Sequence, residues 1–134
     1  MNYNLDNKKV FITGSSGGIG KSLCKKFIEA NCIIIFSSSS KEKLNHLKNL
    51  HGDKHIYYNL DLLDTDDLKS RIKIISEENK DIDIIINNAG ITNDNLILRM
   101  KEDQWNDVIN VNLNSNYYII KSILPNMLKN KKGK

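Results

Sequence analysis

Apolar and polar positions change period several times along the chain, and each change marks an element. Lys8 to Thr13 (KKVFIT) is a short β-branched and aromatic run that stops at Gly14, the pattern of a buried strand entering a tight turn. From Ile19 to Ala30 the period becomes helical, with Ile19, Leu23, Phe27 and Ile28 recurring between lysines. Ile33 to Ser37 predicts a second strand, and Lys41 to Leu50 an amphipathic helix carrying Leu44, Leu47 and Leu50 on one face. His55 to Leu60 predicts a third strand. Asp64 then precedes a third helix, with Asp66 and Asp67 in the first turn complementing the helix dipole and Leu68, Ile72 and Ile75 facing inward. Ile82 to Ile86 (IDIII) is a fourth strand, almost wholly apolar. After Asn87 a loop leads into a long helical stretch. There Trp105, Val108, Ile109, Leu113, Ile120, Ile123, Leu124 and Met127 fit one apolar face, and Pro125 is expected to kink or restart the helix.

Strands that alternate with helices at this rhythm require a parallel sheet, because parallel neighbours need crossover connections and those connections cover both faces. The expected architecture is a doubly wound α/β sheet of the Rossmann type. With no internal repeat, low-complexity segment or linker, residues 1–134 read as a single domain.

Composition adds constraints more than content. A chain that is 40% hydrophobic and 27% charged is expected to fold over most of its length. The formal charge of +4 comes mainly from lysines spread over the water-facing sides of helices, which argues against a nucleic-acid surface. Lys129, Lys131, Lys132 and Lys134 do gather, as a patch able to attract an acidic partner. Cys24 and Cys32 lack redox or metal spacing and read as buried, reduced packing residues. His46, His51 and His55 read as surface histidines without the partners of a metal site. Met1 to Asn7 is polar, unlike a secretory signal, and no segment is apolar enough to span a bilayer, so a cytoplasmic location is expected.

The chemistry starts at Thr13-Gly14-Ser15-Ser16-Gly17-Gly18-Ile19-Gly20, between the first strand and the first helix. Backbone N–H groups of such a turn, with the helix N-terminus behind them, suit a phosphate, and glycine lets the ligand come close. A second reading stays open, because Ser15 to Ser22 (SSGGIGKS) lacks only its first glycine to be an ATPase-type phosphate loop, with Lys21 and Ser22 in place. Against it, the fourth strand runs into Asn87 and Asn88 where an ATPase presents a magnesium-holding Asp. A turn that binds nothing is the third reading.

The spacing T-G-x-x-x-G-x-G, followed by Asn87-Asn88-Ala89-Gly90 at the end of the fourth strand, resembles the short-chain dehydrogenase/reductase family. That resemblance implies nicotinamide cofactor contacts at Gly14, Ser15, Ser16, Gly17, Gly18 and Ile19, at Asn88, Ala89 and Gly90, and at Asp61 and Leu62 beside the adenine. A helix cap is the alternative role for Asp61. The end of the second strand selects the cofactor, since an acidic residue there accepts from ribose hydroxyls and repels a 2′-phosphate. Here it reads Ser37-Ser38-Ser39-Ser40, followed by Lys41, so NADP is favoured over NAD, with Ser39 as the contact. The preference rests on the serines, because Gly17 stands where NADP-using members often carry Arg.

From Ile91 to Ser115 the chain is similar to the 3-oxoacyl-acyl-carrier-protein reductases within that family, notably at Asp94-Asn95-Leu96, Arg99-Met100, Trp105 and Asn112-Leu113. The resemblance implies reduction of a 3-oxoacyl group carried on acyl carrier protein, a homotetramer for the full-length enzyme, and carrier docking near the lysine cluster. Reductases of acetoacetyl-coenzyme A look alike here. In the family an Asn, a Ser, a Tyr and a Lys share the chemistry, and Asn112 matches the Asn that completes a water-linked proton relay. Tyr117 and Lys121 imitate the Tyr-x-x-x-Lys pair, but the family's pair lies on a later helix. Five residues at about 100° each also turn Tyr117 roughly 140° away from Asn112, so Tyr117 is read as a packing aromatic. The residues up to Gly133-Lys134 therefore carry cofactor recognition without the Ser, Tyr and Lys, and alone are expected to be inactive, with the last strand an unpaired edge prone to associate. A non-catalytic NADP-binding module is the competing function.

Overall fold

A computed structural model describes residues 4–134. β1 (Lys9–Ile12), β2 (Ile33–Ser38), β3 (Ile56–Asn59) and β4 (Ile84–Ile86) form one sheet in the order β3-β2-β1-β4, every pair parallel. Between them run α1 (Gly18–Glu29), α2 (Lys41–His51) and α3 (Thr65–Glu78). After β4 come α4 (Glu102–Ile109), a π-helical turn (Asn110–Asn114) and α5 (Ser115–Lys129).

Alternation along the strands sorts side chains into two cores. Val10, Ile12, Ile34 and Phe36 pack with Cys24, Cys32, Leu44 and Leu47 beneath α1 and α2. Phe11 and Ile35 point the other way, to Leu68, Ile72 and Ile75 of α3 and Ile119, Ile123 and Met127 of α5. Both cysteines are buried and unbridged, and desolvation pushes the Cys24 thiol up to about 12. Asp64 caps α3 by accepting the N–H groups of Asp66 and Asp67, and Ser40 caps α2 through Lys43 N–H.

Several expectations are corrected. Leu50 lies outside the buried face of α2, because that face ends one turn earlier at Leu47. His55 is buried: its Nδ1 accepts the Ile34 backbone N–H at 3.1 Å, and its ring meets Phe36 edge-on, while His51 stacks on Phe36. The long apolar face is divided. Val111, Ile119, Ile123 and Met127 are buried, whereas Trp105, Leu113, Ile120 and Leu124 face outward. The π turn shifts the phase between α4 and α5, and within α5 the buried stripe is the row Ile119, Ile123 and Met127, four residues apart, with Ile120 and Leu124 one position round from it. Helix α5 continues through Pro125, which is exposed and supplies no N–H to the carbonyl one turn earlier, so the interruption stays local. Tyr117 is exposed and accepts from Lys121 Nζ at 3.0 Å, so it does not pack in the core.

The outer edge of β4 is also not bare. Lys134 N–H donates to Asp83 O at 3.0 Å and Lys134 O accepts Ile85 N–H at 2.9 Å, one rung of parallel pairing. Lys132 Nζ sits 2.9 Å from Asp83 Oδ1, so one charge of the basic cluster is engaged internally. Among the described residues no helix is long and apolar enough to cross a membrane, and no cluster of His, Cys, Asp and Glu is arranged to hold a metal ion.

Candidate functional site

The chain runs from β1 to β2 and β3 on one side of the sheet and then to β4 on the other, so the loops leaving β1 and β4 diverge at the carboxyl ends of adjacent strands. Ligands of open α/β sheets bind in the crevice at such a switch point. A cleft of about 400 Å³ lies there. Its walls are Gly14, Ser16, Gly17, Gly18, Ile19 and Gly20 after β1, Ser37 to Ser39 at the end of β2, Leu60 to Leu63 after β3, and Asn88 to Ile91 after β4. Val111 closes it from the π turn.

The turn after β1 is shaped by close approach. Gly14 has φ +61, and a Cβ there would lie 2.9 Å from Ala89 Cα. A Cβ on Gly20 would lie 2.2 Å from Gly14 O. Gly18 has nothing within 4 Å of the corresponding position, so its backbone borders open space. Helix α1 follows Gly17 at its N-cap position, with no side-chain cap and no acidic residue in its first turn, unlike α2 and α3. Its first N–H groups thus remain available to an anion.

Thr13 ties this turn to the β4 loop. Its Oγ1 accepts the N–H groups of Asn88 and Ala89, each at 3.0 Å. The Asn88 amide donates back to Thr13 O at 2.9 Å and Gly14 O at 3.2 Å. Thr13 was legible only as the first letter of the glycine motif. Ser15, expected at the cofactor, is fully buried and donates to Ser37 O at 2.8 Å, so it braces the turn from behind and is not part of the cleft wall. Ile19 is exposed at the cleft mouth.

The serine run divides its labour. Ser37 donates inward to Ile12 O at 3.0 Å, Ser38 shares a 2.8 Å hydrogen bond with the Ser16 hydroxyl, and Ser40 caps α2. Ser39 is exposed on the cleft wall, and no carboxylate stands among the four. Asp61 lines the cleft and accepts Leu63 N–H at 3.0 Å, while the cap of α3 is Asp64, so the capping role does not belong to Asp61. Leu62 is buried beside it.

Asn112 is exposed and is not part of the cleft wall, but it holds a loop that is. From the π turn its Oδ1 accepts Ile91 N–H at 2.8 Å and its Nδ2 donates to Ile91 O at 2.9 Å, fixing the loop after Gly90. The Asn112 carbonyl accepts from the Asn116 side-chain amide at 2.9 Å. Neither Tyr117 nor Lys121 lines the cleft. Nor do Lys21 and Ser22: the Ser22 hydroxyl donates to Gly18 O at 3.2 Å, within its own helix, which leaves the ATPase reading without its magnesium ligand.

The short chain dehydrogenase family model matches residues 8–134. The 3-oxoacyl-[acyl-carrier-protein] reductase of Vibrio harveyi is 36% identical over 131 residues, covering 98% of this chain and 54% of that protein. The enzyme of the same name from Thermotoga maritima is 37% identical over 132 residues, covering 96% and 54%. Among solved structures, a metagenomic short-chain oxidoreductase in complex with NADP matches with a TM-score of 0.86 at 24% identity, over 98% of this chain and 61% of that one. At that identity the likeness is one of fold. The chain spans about half the length of the curated relatives it matches.

Proposed function

The chain belongs to the short-chain dehydrogenase family, and from that premise we propose that residues 1–134 are the NADP-binding, Rossmann-type part of a reductase that converts 3-oxoacyl-acyl-carrier-protein to the 3-hydroxyacyl form. The observation that carries this reading is the cleft at the strand ends, walled by glycine backbone and serine hydroxyls with no carboxylate at the end of β2. Relatives of that name at 36% and 37% identity support the substrate class, and acyl carrier protein is the corresponding partner.

The wall fits the cofactor group by group. The open backbone at Gly18 and the uncapped first turn of α1 suit a diphosphate, with Gly14, Ser16, Gly17 and Ile19 shaping its seat and Ser15 holding that seat to β2. Asp61 and Leu62 suit the adenine, as an acceptor for its amino group and an apolar surface. Ser39, with Lys41 following, suits a 2′-phosphate. Asn88, Ala89 and Gly90 border the far end. When bound, NADPH supplies the hydride. Asn112 holds the loop at Ile91 and, in the whole enzyme, stands where the family's relay residue does.

A polypeptide of these residues alone binds the cofactor without reducing substrate, because the only Tyr and Lys at the family spacing bond to each other on the exposed side of α5. Titration with NADPH, followed by its fluorescence, should show saturable binding that magnesium-ATP does not displace. Addition of a 3-oxoacyl substrate should leave the near-ultraviolet absorbance of NADPH unchanged. Absence of NADPH binding sinks the cofactor reading, and NADPH consumption by this polypeptide sinks the assignment of its chemistry to residues outside it.

A further inference from the structure

The corner where β2 passes into α2 is held by a side chain outside every motif. Asn59 ends β3 as the partner of Ser38 in the last rung of the β2–β3 pairing. Its amide donates to two successive carbonyls of the neighbouring segment, Ser38 O at 2.9 Å and Ser39 O at 3.0 Å. Ser38 O also accepts Leu60 N–H at 2.9 Å, so both of its lone pairs are used. The Ser38 hydroxyl is fixed independently, by Ser16 at 2.8 Å and by Ser40 N–H at 3.2 Å. Asn59 itself is not part of the cleft wall, whereas Ser38 and Ser39 are.

These bonds decide the electrostatic character of the corner. Carbonyl oxygens at a strand end carry partial negative charge and disfavour an anion nearby. With both carbonyls occupied from the β3 side, the corner offers the exposed Ser39 side chain, and the Lys41 ammonium follows at the start of α2. We infer that Asn59 is a positioning residue for cofactor choice: by holding the Ser38 and Ser39 carbonyls it sets the corner to receive a 2′-phosphate. The inference rests on the NADP reading above. An aspartate at the same place has no hydrogen to donate to either carbonyl and adds a negative charge.

The test compares NADPH with NADH, and adenosine 2′,5′-bisphosphate with 5′-AMP, for the 134-residue chain and its Asn59→Asp and Asn59→Ala variants. Asn59→Ala should weaken the two 2′-phosphorylated ligands about tenfold and Asn59→Asp more, with NADH and 5′-AMP within about twofold of wild type. A melting temperature for each variant separates loss of fold from loss of selectivity, and Asn59→Ala carries the comparison where Asn59→Asp does not fold. Equal weakening of both ligand classes, or a preference for NADPH that survives both substitutions, overturns the role of Asn59 alone. A wild-type chain that binds NADH as tightly as NADPH overturns the cofactor reading and this inference with it.

Discussion

Gly18 and Gly20 belong to one turn yet answer to different constraints. A methyl at position 20 meets the Gly14 carbonyl at 2.2 Å, a backbone atom that moves only with the turn itself, whereas a methyl at position 18 enters open space. Gly20→Ala is therefore expected to destabilise the fold by about 2–3 kcal/mol, read as a lower melting temperature. Gly18→Ala should change stability by no more than about 0.5 kcal/mol while weakening NADPH about tenfold, read by titration, because its methyl occupies the proposed diphosphate seat. The motif revealed which residues form the turn, since glycine spacing is a backbone requirement. It did not reveal that Ser15 faces inward or that Thr13 and Asn59 serve as anchors, because a polar side chain in a turn carries no mark of the carbonyl it will find. The inward hydrogen bond of Ser37 was hidden for the same reason, four serines in a row being chemically alike.

At the scale of elements, the strands and helices up to β4 were legible because each keeps one period. The last helical stretch was not. A π turn breaks the phase between α4 and α5, and within α5 the buried row of Ile119, Ile123 and Met127 is narrower than the apolar pattern, so that Ile120 and Leu124 face outward. His55 was misread because a lone histidine carries no sign of burial; Phe36, which stacks on Tyr57 and on His51, also meets the His55 ring edge-on. Desolvation, with lesser help from the charges of His51 and Lys54, holds its imidazole below the ordinary histidine value. The folded form thus refuses a proton that the unfolded chain accepts near about pH 6.5. Stability is complete above that pH and declines as the pH falls below it, since protonated Nδ1 cannot accept the Ile34 N–H. Melting temperatures at pH 7.5 and 5.5 should differ for the wild type and differ less for His55→Asn, whose side-chain oxygen keeps an acceptor that does not titrate.

For the molecule as a whole, topology followed from strand and helix order, but the contacts that join distant segments did not. Asp83 is the clearest case. It accepts the Lys9 backbone N–H at 3.0 Å and faces Lys132 at 2.9 Å and Lys8 at 3.4 Å, joining the first strand, the fourth strand and the last residues. Burial resists its charge, yet the hydrogen bonds from Lys132 and Lys9 and the two lysine charges outweigh that and hold the carboxyl below its ordinary range. Its contribution is present above the unfolded carboxylate pKa and is lost as the pH falls through the lower folded value. Asp83→Ala, which strands the Lys9 N–H, should cost about 1–3 kcal/mol in urea unfolding at pH 7. The hydrogen bonds between Thr13 and Asn88 have a different reach, because they tie the seam of the sheet to the floor of the cleft. The two loops that a nucleotide would touch are aligned as soon as β1 and β4 pair, so their ordering entropy is settled during folding and little of it is charged against affinity when the ligand arrives.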